Sequence, residues 1–256
     1  MALAAVTACT TPPTPPMTIQ TTAFRLHYPT TDTAAKPLVI ILGATGRSQA
    51  QVVQVQNQDT LAEQQGYVAA YVQAPNASNT WWTGPDSSCV TPFDGTAYLR
   101  QQIAVMRTLV PSIDPFRIYI EGWSNGGFMA VYALTAAPDL FAAGGEIESV
   151  LDLPAATNVP VRVKHLHAIG DTVVPIAGGN SLLLAAACGH PMVLPSSYQE
   201  INTLPSGSAD SLTTDAGSGP GLHDYQPSAA STFWSFMRNY RVQTPPYVRY
   251  RNGSSG

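Results

Sequence analysis

Pro37-Leu38-Val39-Ile40-Ile41-Leu42 is an unbroken apolar run that stops at Gly43, the pattern of a strand buried on both faces. Before it, Phe24 to Tyr28 alternates apolar and polar positions like an early strand. After it, Asp59 to Gln65 reads as a helix ended by Gly66, and Tyr67-Val68-Ala69-Ala70-Tyr71 as the next strand. Asp94 is placed to cap a helix whose apolar positions Leu99, Ile103, Met106 and Val110 recur at helical spacing. Arg117-Ile118-Tyr119-Ile120 predicts a short β-branched and aromatic strand, followed by a helix over Phe128 to Ala137 with no proline until Pro138. A weaker strand is expected near Ala142 to Ile147, another at Val161 to His167, and a last one at Tyr198 to Leu204. Ser231 to Met237 belongs to a closing helix. Strands and helices thus alternate, which predicts an α/β fold: a mostly parallel central sheet with helices on both faces. No internal repeat and no second domain interrupt the pattern.

Composition narrows the picture. The chain has 256 residues, 45% of them apolar, enough for one large core. Charged residues make up only 11%, well under the roughly 25% usual in globular proteins. A net charge of −4 leaves no basic stripe, so a nucleic-acid partner has no support. No apolar run reaches the length of a membrane span.

The start of the chain reads as a processing segment. Val6-Thr7-Ala8-Cys9 resembles a bacterial lipobox, and Thr10 to Pro16 is a stiff, proline-rich linker. A lipobox would carry a diacylglycerol on Cys9, giving a membrane tether. The apolar stretch is short for a full signal and has no Lys or Arg before it. The expected organisation is an export segment and linker over residues 1–22, one α/β domain over 23–245 and a flexible tail over 246–256. Export also suits the remaining cysteines, Cys89 and Cys188, which lie in loop-like stretches with no metal-ligand spacing. They read either as a disulfide in an oxidising compartment or as two unrelated buried thiols.

The chemistry centres on Gly122-Trp123-Ser124-Asn125-Gly126-Gly127. A G-x-S-x-G between a strand and a helix is a nucleophile elbow. The chain reverses so sharply at Ser124 that its backbone is strained. Gly122 and Gly126 are required because a Cβ at either would strike the neighbouring strand or helix. The hydroxyl then stands at a helix N-terminus, whose free N–H groups can receive an oxyanion.

A serine needs a base, and the base an orienting acid. Of the five histidines, His27 reads as a strand residue, His165 and His167 as satisfied core or packing residues of an apolar strand, and His190 as a surface residue. His223 stands in the glycine-rich stretch Gly217 to Asp224, before the closing helix, and completes the chain order Ser…Asp…His. Asp171 ends the strand of His165 and His167, on the sheet rim where ligands of open sheets bind. Asp152, after the preceding strand, is its rival.

Gly122 to Ala130, with Ala137-Pro138-Asp139-Leu140-Phe141-Ala142-Ala143, resembles the polyhydroxybutyrate-depolymerase-like esterases, α/β-hydrolases that include feruloyl and acetylxylan esterases and exported lipoproteins. The likeness extends to Ile113 to Tyr119 and to Asp171 to Pro175 with Gly178-Gly179. It implies an α/β-hydrolase fold, with Ser124 as nucleophile, Asp171 as acid and His223 as base. Where similar proteins read Leu-His-Gly, this chain has Leu42-Gly43-Ala44, and Leu222-His223-Asp224-Tyr225 replaces a Gly-Gly-His-x-Trp-like segment.

These residues predict two-step acyl transfer from an ester to water, with the oxyanion held by the backbone N–H of Asn125 and of Thr45, or Ala44 if the loop is shifted by one. No metal or organic cofactor is implied, and a monomer is expected. Trp81, Trp82 and Trp123 are candidates for stacking an aromatic acyl group or a sugar ring, with packing under the elbow the other reading of Trp123. No long insertion separates the elbow helix from Asp171, which suits a polymer-borne ester. A prolyl-oligopeptidase-like peptidase, an acyltransferase and a noncatalytic surface lipoprotein are the alternatives.

Overall fold

The computed structural model describes residues 16–29, 34–81, 93–150, 160–180, 193–194, 196, 208–215 and 222–243. Cys9, Trp82, Cys89, Asp152, Cys188, His190 and the expected tail lie outside them, as does the strand expected at Tyr198 to Leu204.

The strands are β1 (Met17–Gln20), β2 (Phe24–Tyr28), β3 (Lys36–Leu42), β4 (Val68–Val72), β5 (Ile113–Trp123), β6 (Ala143–Ile147), β7 (Arg162–Ala168), β8 (Gly179–Asn180), β9 (Val193–Leu194) and β10 (Ala209–Asp215). The helices are α1 (Gln49–Val55), α2 (Asp59–Gln65), α3 (Gly95–Leu109), α4 (Asn125–Ala136) and α5 (Ala229–Met237). Eight strands form one sheet in the order β1-β2-β4-β3-β5-β6-β7-β10, and β8 and β9 form a separate short ribbon. β2 runs antiparallel to β1 and β4, and all later neighbours are parallel.

The apolar run at residues 37–42 explains the layering. In β3, Leu38, Ile40 and Leu42 join a core with Leu99, Ile103 and Met106 of α3 and Met129, Ala130 and Leu134 of α4. Val39 and Ile41 point the other way, into a core with Val52 of α1, Ala62 of α2 and Phe233, Trp234 and Met237 of α5. Period-two alternation thus serves two apolar faces at once, which only a sheet covered on both sides requires.

Local signals place most boundaries. Asp94 caps α3, its carboxylate accepting the Ala97 N–H at 2.8 Å. Gly66 ends α2 in the left-handed conformation at φ 75°.

Two expectations are corrected. Residues 17–20, assigned to the linker, pair antiparallel with β2 from Met17↔Tyr28 to Gln20↔Arg25, so the sheet begins before residue 22. The last strand among the described residues is β10, parallel to β7 from Ala209↔Arg162 to Asp215↔Ala168. Its sequence, Ala-Asp-Ser-Leu-Thr-Thr-Asp, is polar and lacks the run that marks an interior strand.

Candidate active site

β5 and α4 meet at Ser124, which has φ 53° and ψ −121°, a conformation rare for a residue with a side chain. The surroundings force it. A Cβ on Gly122 would lie 2.1 Å from the Gly126 carbonyl oxygen, and one on Gly126 would lie 2.5 Å from that of Leu42. Strand end and helix start are therefore in backbone contact, and only glycines permit it. The Ser124 N–H donates to the Ile147 carbonyl at 2.9 Å, tying the turn to β6.

Three side chains from separate loops meet here. His223 Nε2 lies 2.8 Å from Ser124 Oγ, and His223 Nδ1 lies 2.7 Å from Asp171 Oδ2. Asp171 follows β7, and its Oδ1 accepts the N–H groups of Val173 at 2.7 Å and Val174 at 3.0 Å. Burial by itself would raise the Asp171 carboxyl, but hydrogen bonds from His167 and His223 outweigh it and hold the group well below the usual carboxylate range. An ionised Asp171 can only accept, so Nδ1 carries hydrogen and Nε2 presents its lone pair to the Ser124 hydroxyl.

The first N–H groups of α4 have no intrahelical partner, and that of Asn125 is among them. Because Gly126 touches the carbonyls of Leu42 and Gly43, the loop after β3 lies beside this helix end. In that loop Gly46 N–H donates to Asn79 O and Arg47 N–H to Ala44 O, both at 3.1 Å. Among the described residues no hydrogen bond takes the N–H of Ala44 or Thr45, and Thr45 is exposed.

Asn125 has a further function that the sequence did not suggest. Its side chain accepts the Trp81 N–H at 2.6 Å and donates to the Trp81 carbonyl at 2.9 Å. The loop after β4 is thereby fixed over the start of α4.

The tryptophan platform is corrected. Trp81 is 1% exposed and packs in the α3–α4 core against Phe93 and Tyr98, ring centroids 6.2 and 6.3 Å away, so it offers no stacking surface. Trp123 is also buried, its indole in contact range of both the guanidinium of Arg47 and the ring of His223. Its role is packing at the rim, and Trp82 lies outside the described residues.

Behind Asp171 lies a buried polar cluster. His167 Nε2 is 2.7 Å from the Val174 carbonyl and 3.4 Å from Asp171 Oδ2, and His167 Nδ1 is 3.0 Å from His165 Nε2. Glu148 accepts the Ala168 N–H, and Ser149 donates to Glu146 at 2.6 Å. Burial pushes the His165 imidazole down to about 4. His165 and His167 are buried and hydrogen-bonded, as the reading of them as core residues expects, and His167 is in addition a neighbour of the acid. The signal was a His-x-His facing a Glu-x-Glu on the adjacent strand, with Glu146 opposite His165.

Glu148, His167 and Asp171 also bring ligand-type atoms within 4.8 Å of one another. Facing a carbonyl, however, His167 Nε2 must carry hydrogen, and Nδ1 is turned to His165. The imidazole has no lone pair aimed at a cation, and the set fits support of Asp171 better than metal binding.

On the other face, Tyr225 Oη donates to Glu121 Oε1 at 3.2 Å and joins the His223 loop to β5, while Gln58 donates to the same carboxyl oxygen. Burial pushes the Glu121 carboxyl up to about 8, against the lowering effect of those hydrogen bonds. In the unfolded chain this group ionises near 4.5, so between there and pH 8 the folded state holds a proton that the unfolded state has lost. Stability from this group is full at acid pH and falls by up to ~1.4 kcal/mol per pH unit across that window. Glu121→Gln should flatten the fall, and melting temperatures of both forms at pH 5 and pH 8 measure it. Parallel wild-type and variant profiles would contradict it.

A family model described as the prolyl oligopeptidase family, peptidase S9, matches residues 91–159, which include β5, Ser124 and α4. A protein described as "Putative esterase NocK", of Nocardia uniformis subsp. tsuyamanensis, is 25% identical over 166 residues. That match covers 62% of this chain and 48% of NocK, so the chain spans about half the length of the curated relative it matches. A thermostable esterase aligns in structure with a TM-score of 0.57 and 19% identity, over 89% of this chain and 63% of that one. Esterase PE8 aligns with a TM-score of 0.55 and 18% identity, over 80% of this chain and 93% of that one. With its mostly parallel sheet covered on both faces and a serine elbow at the end of β5, the chain has the α/β-hydrolase fold.

Proposed function

We propose that this chain is a serine carboxylic-ester hydrolase, with Ser124 as nucleophile, His223 as base and Asp171 as the orienting acid. The observation that carries the reading is the unbroken hydrogen-bonded line from Ser124 Oγ through His223 to Asp171, mounted on a strained elbow. As Oγ attacks the ester carbonyl, His223 Nε2 takes its proton, and Asp171 stabilises the resulting imidazolium. The N–H of Asn125 and that of Thr45, or of Ala44, hold the oxyanion, one such donor being worth ~3 kcal/mol. His223 then protonates the departing alcohol, and water repeats the sequence on the acyl-enzyme.

For substrate, the burial of Trp81 removes its support for an aromatic acyl group. A polyester or polysaccharide-borne ester is favoured by the resemblance to polyhydroxybutyrate-depolymerase-like enzymes and by the short connection from α4 to Asp171. The lipobox-like Val6 to Cys9 belongs to the same proposal, placing the enzyme at an envelope surface. A peptidase is the second reading, favoured by the family match over residues 91–159. Turnover of 4-nitrophenyl acetate, methyl ferulate, acetylated xylan and polyhydroxybutyrate beside a peptide 4-nitroanilide separates the two. Ester cleavage blocked by a serine-directed phosphonate is expected, with little or no amide cleavage. Faster amide than ester turnover would transfer the assignment to the peptidase.

A further inference from the structure

We propose that Arg47 makes this site selective for esters that carry a carboxylate near the scissile bond. The proposal rests on the ester-hydrolase reading and narrows its substrate class.

Arg47 belongs to the turn that presents the Ala44 and Thr45 amides. Its N–H closes that turn on Ala44 O, and Gly46 occupies the left-handed position at φ 74°. The bond from Gly46 N–H to Asn79 O ties the turn to the neighbouring loop, and Asn125 fixes that loop in turn through Trp81. The backbone that carries Arg47 is therefore held from two sides.

Its side chain is placed as well. The guanidinium carbon lies 5.5 Å from the centroid of the Trp123 indole, whose ring is 6.2 Å from that of His223. Trp123 neighbours both groups, so the cation is no farther from the base than those two distances end to end. A guanidinium resting on an aromatic face keeps its N–H edge free, and that edge matches a carboxylate in a two-point fork.

Arg47 is exposed, and among the described residues no carboxylate pairs with it. Other arginines of the folded body do have such partners: Arg25 with Asp59, Arg100 with Asp139, and Arg117 and Arg241 with Asp114. Asp224, next to His223, is not ion-paired with it, and Asp171 is buried and engaged with His223. A cation without a carboxylate partner, on a positioned turn that shares Trp123 with the base, is a site for an anion supplied by the substrate.

The test uses two matched pairs of esters on the full chain. One pair, 4-nitrophenyl hemisuccinate and its methyl ester, puts the charge on the acyl half. The other, 4-acetoxybenzoate and methyl 4-acetoxybenzoate, puts it on the alcohol half. Wild type is expected to favour the charged member of at least one pair by about tenfold in kcat/KM, less at high salt. Arg47→Gln should bring that ratio to about one, and Arg47→Lys should keep part of it. No preference in either pair, or a preference that survives Arg47→Gln, overturns the proposal while leaving the hydrolase reading intact. No turnover of any of the four esters removes both.

Discussion

Replacing Ser124 by alanine should lower ester turnover by about five orders of magnitude or more while leaving the melting temperature nearly unchanged. The variant loses one oxygen, the one 2.8 Å from His223 Nε2, and nothing that holds the fold. The Ser124 N–H still reaches Ile147 O, and the glycines that permit the elbow are untouched. What survives is the residual acceleration from oxyanion donors and binding alone. Turnover of 4-nitrophenyl acetate beside a thermal melt measures both halves, and activity within tenfold of wild type would remove Ser124 from its role.

Asp171→Asn should cost on the order of 10³ to 10⁴ in turnover. An amide NH₂ in place of Oδ2 would face the hydrogen on His223 Nδ1, so the imidazole would turn over to the wrong tautomer. The turn beneath should survive, because the amide oxygen can still accept from Val173 and Val174 as Oδ1 does. Asp152→Asn is expected to be close to neutral. Exchanged results would move the acid to the segment after β6.

Periodicity and the elbow made much of this molecule legible in advance. The run at residues 37–42, the Asp94 cap and the Gly66 stop each act within a few residues, and local backbone preference decides them. Ser124, Asp171 and His223 are candidates from the G-x-S-x-G elbow, the chain order Ser…Asp…His and the strand end at Asp171, and the structure brings His223 within hydrogen-bond reach of the other two. Burial could not be read the same way. Trp81 stands among polar loop residues, yet the two bonds from Asn125 draw its backbone inward and its ring into the core. His165 and His167 look like packing because an apolar strand surrounds them, and only the register with β6 reveals the acids opposite. β1 has only four residues, mostly exposed, and its one apolar face, Met17 and Ile19, is too short to mark a strand, so its membership in the sheet depends on a partner strand.

That first strand matters for the protein in a crowded solution. Beyond it β2 would offer its backbone donors and acceptors unpaired to any passing chain. A four-residue strand bonded along β2 from Tyr28 to Arg25 satisfies those groups and leaves a shorter edge, with Ile19 turned to the core and Met17 exposed. Proteolysis that trimmed the chain back to residue 22 would leave every candidate site residue in place and remove this cover. Such a trimmed enzyme would be lost to precipitation before it was lost to inactivity.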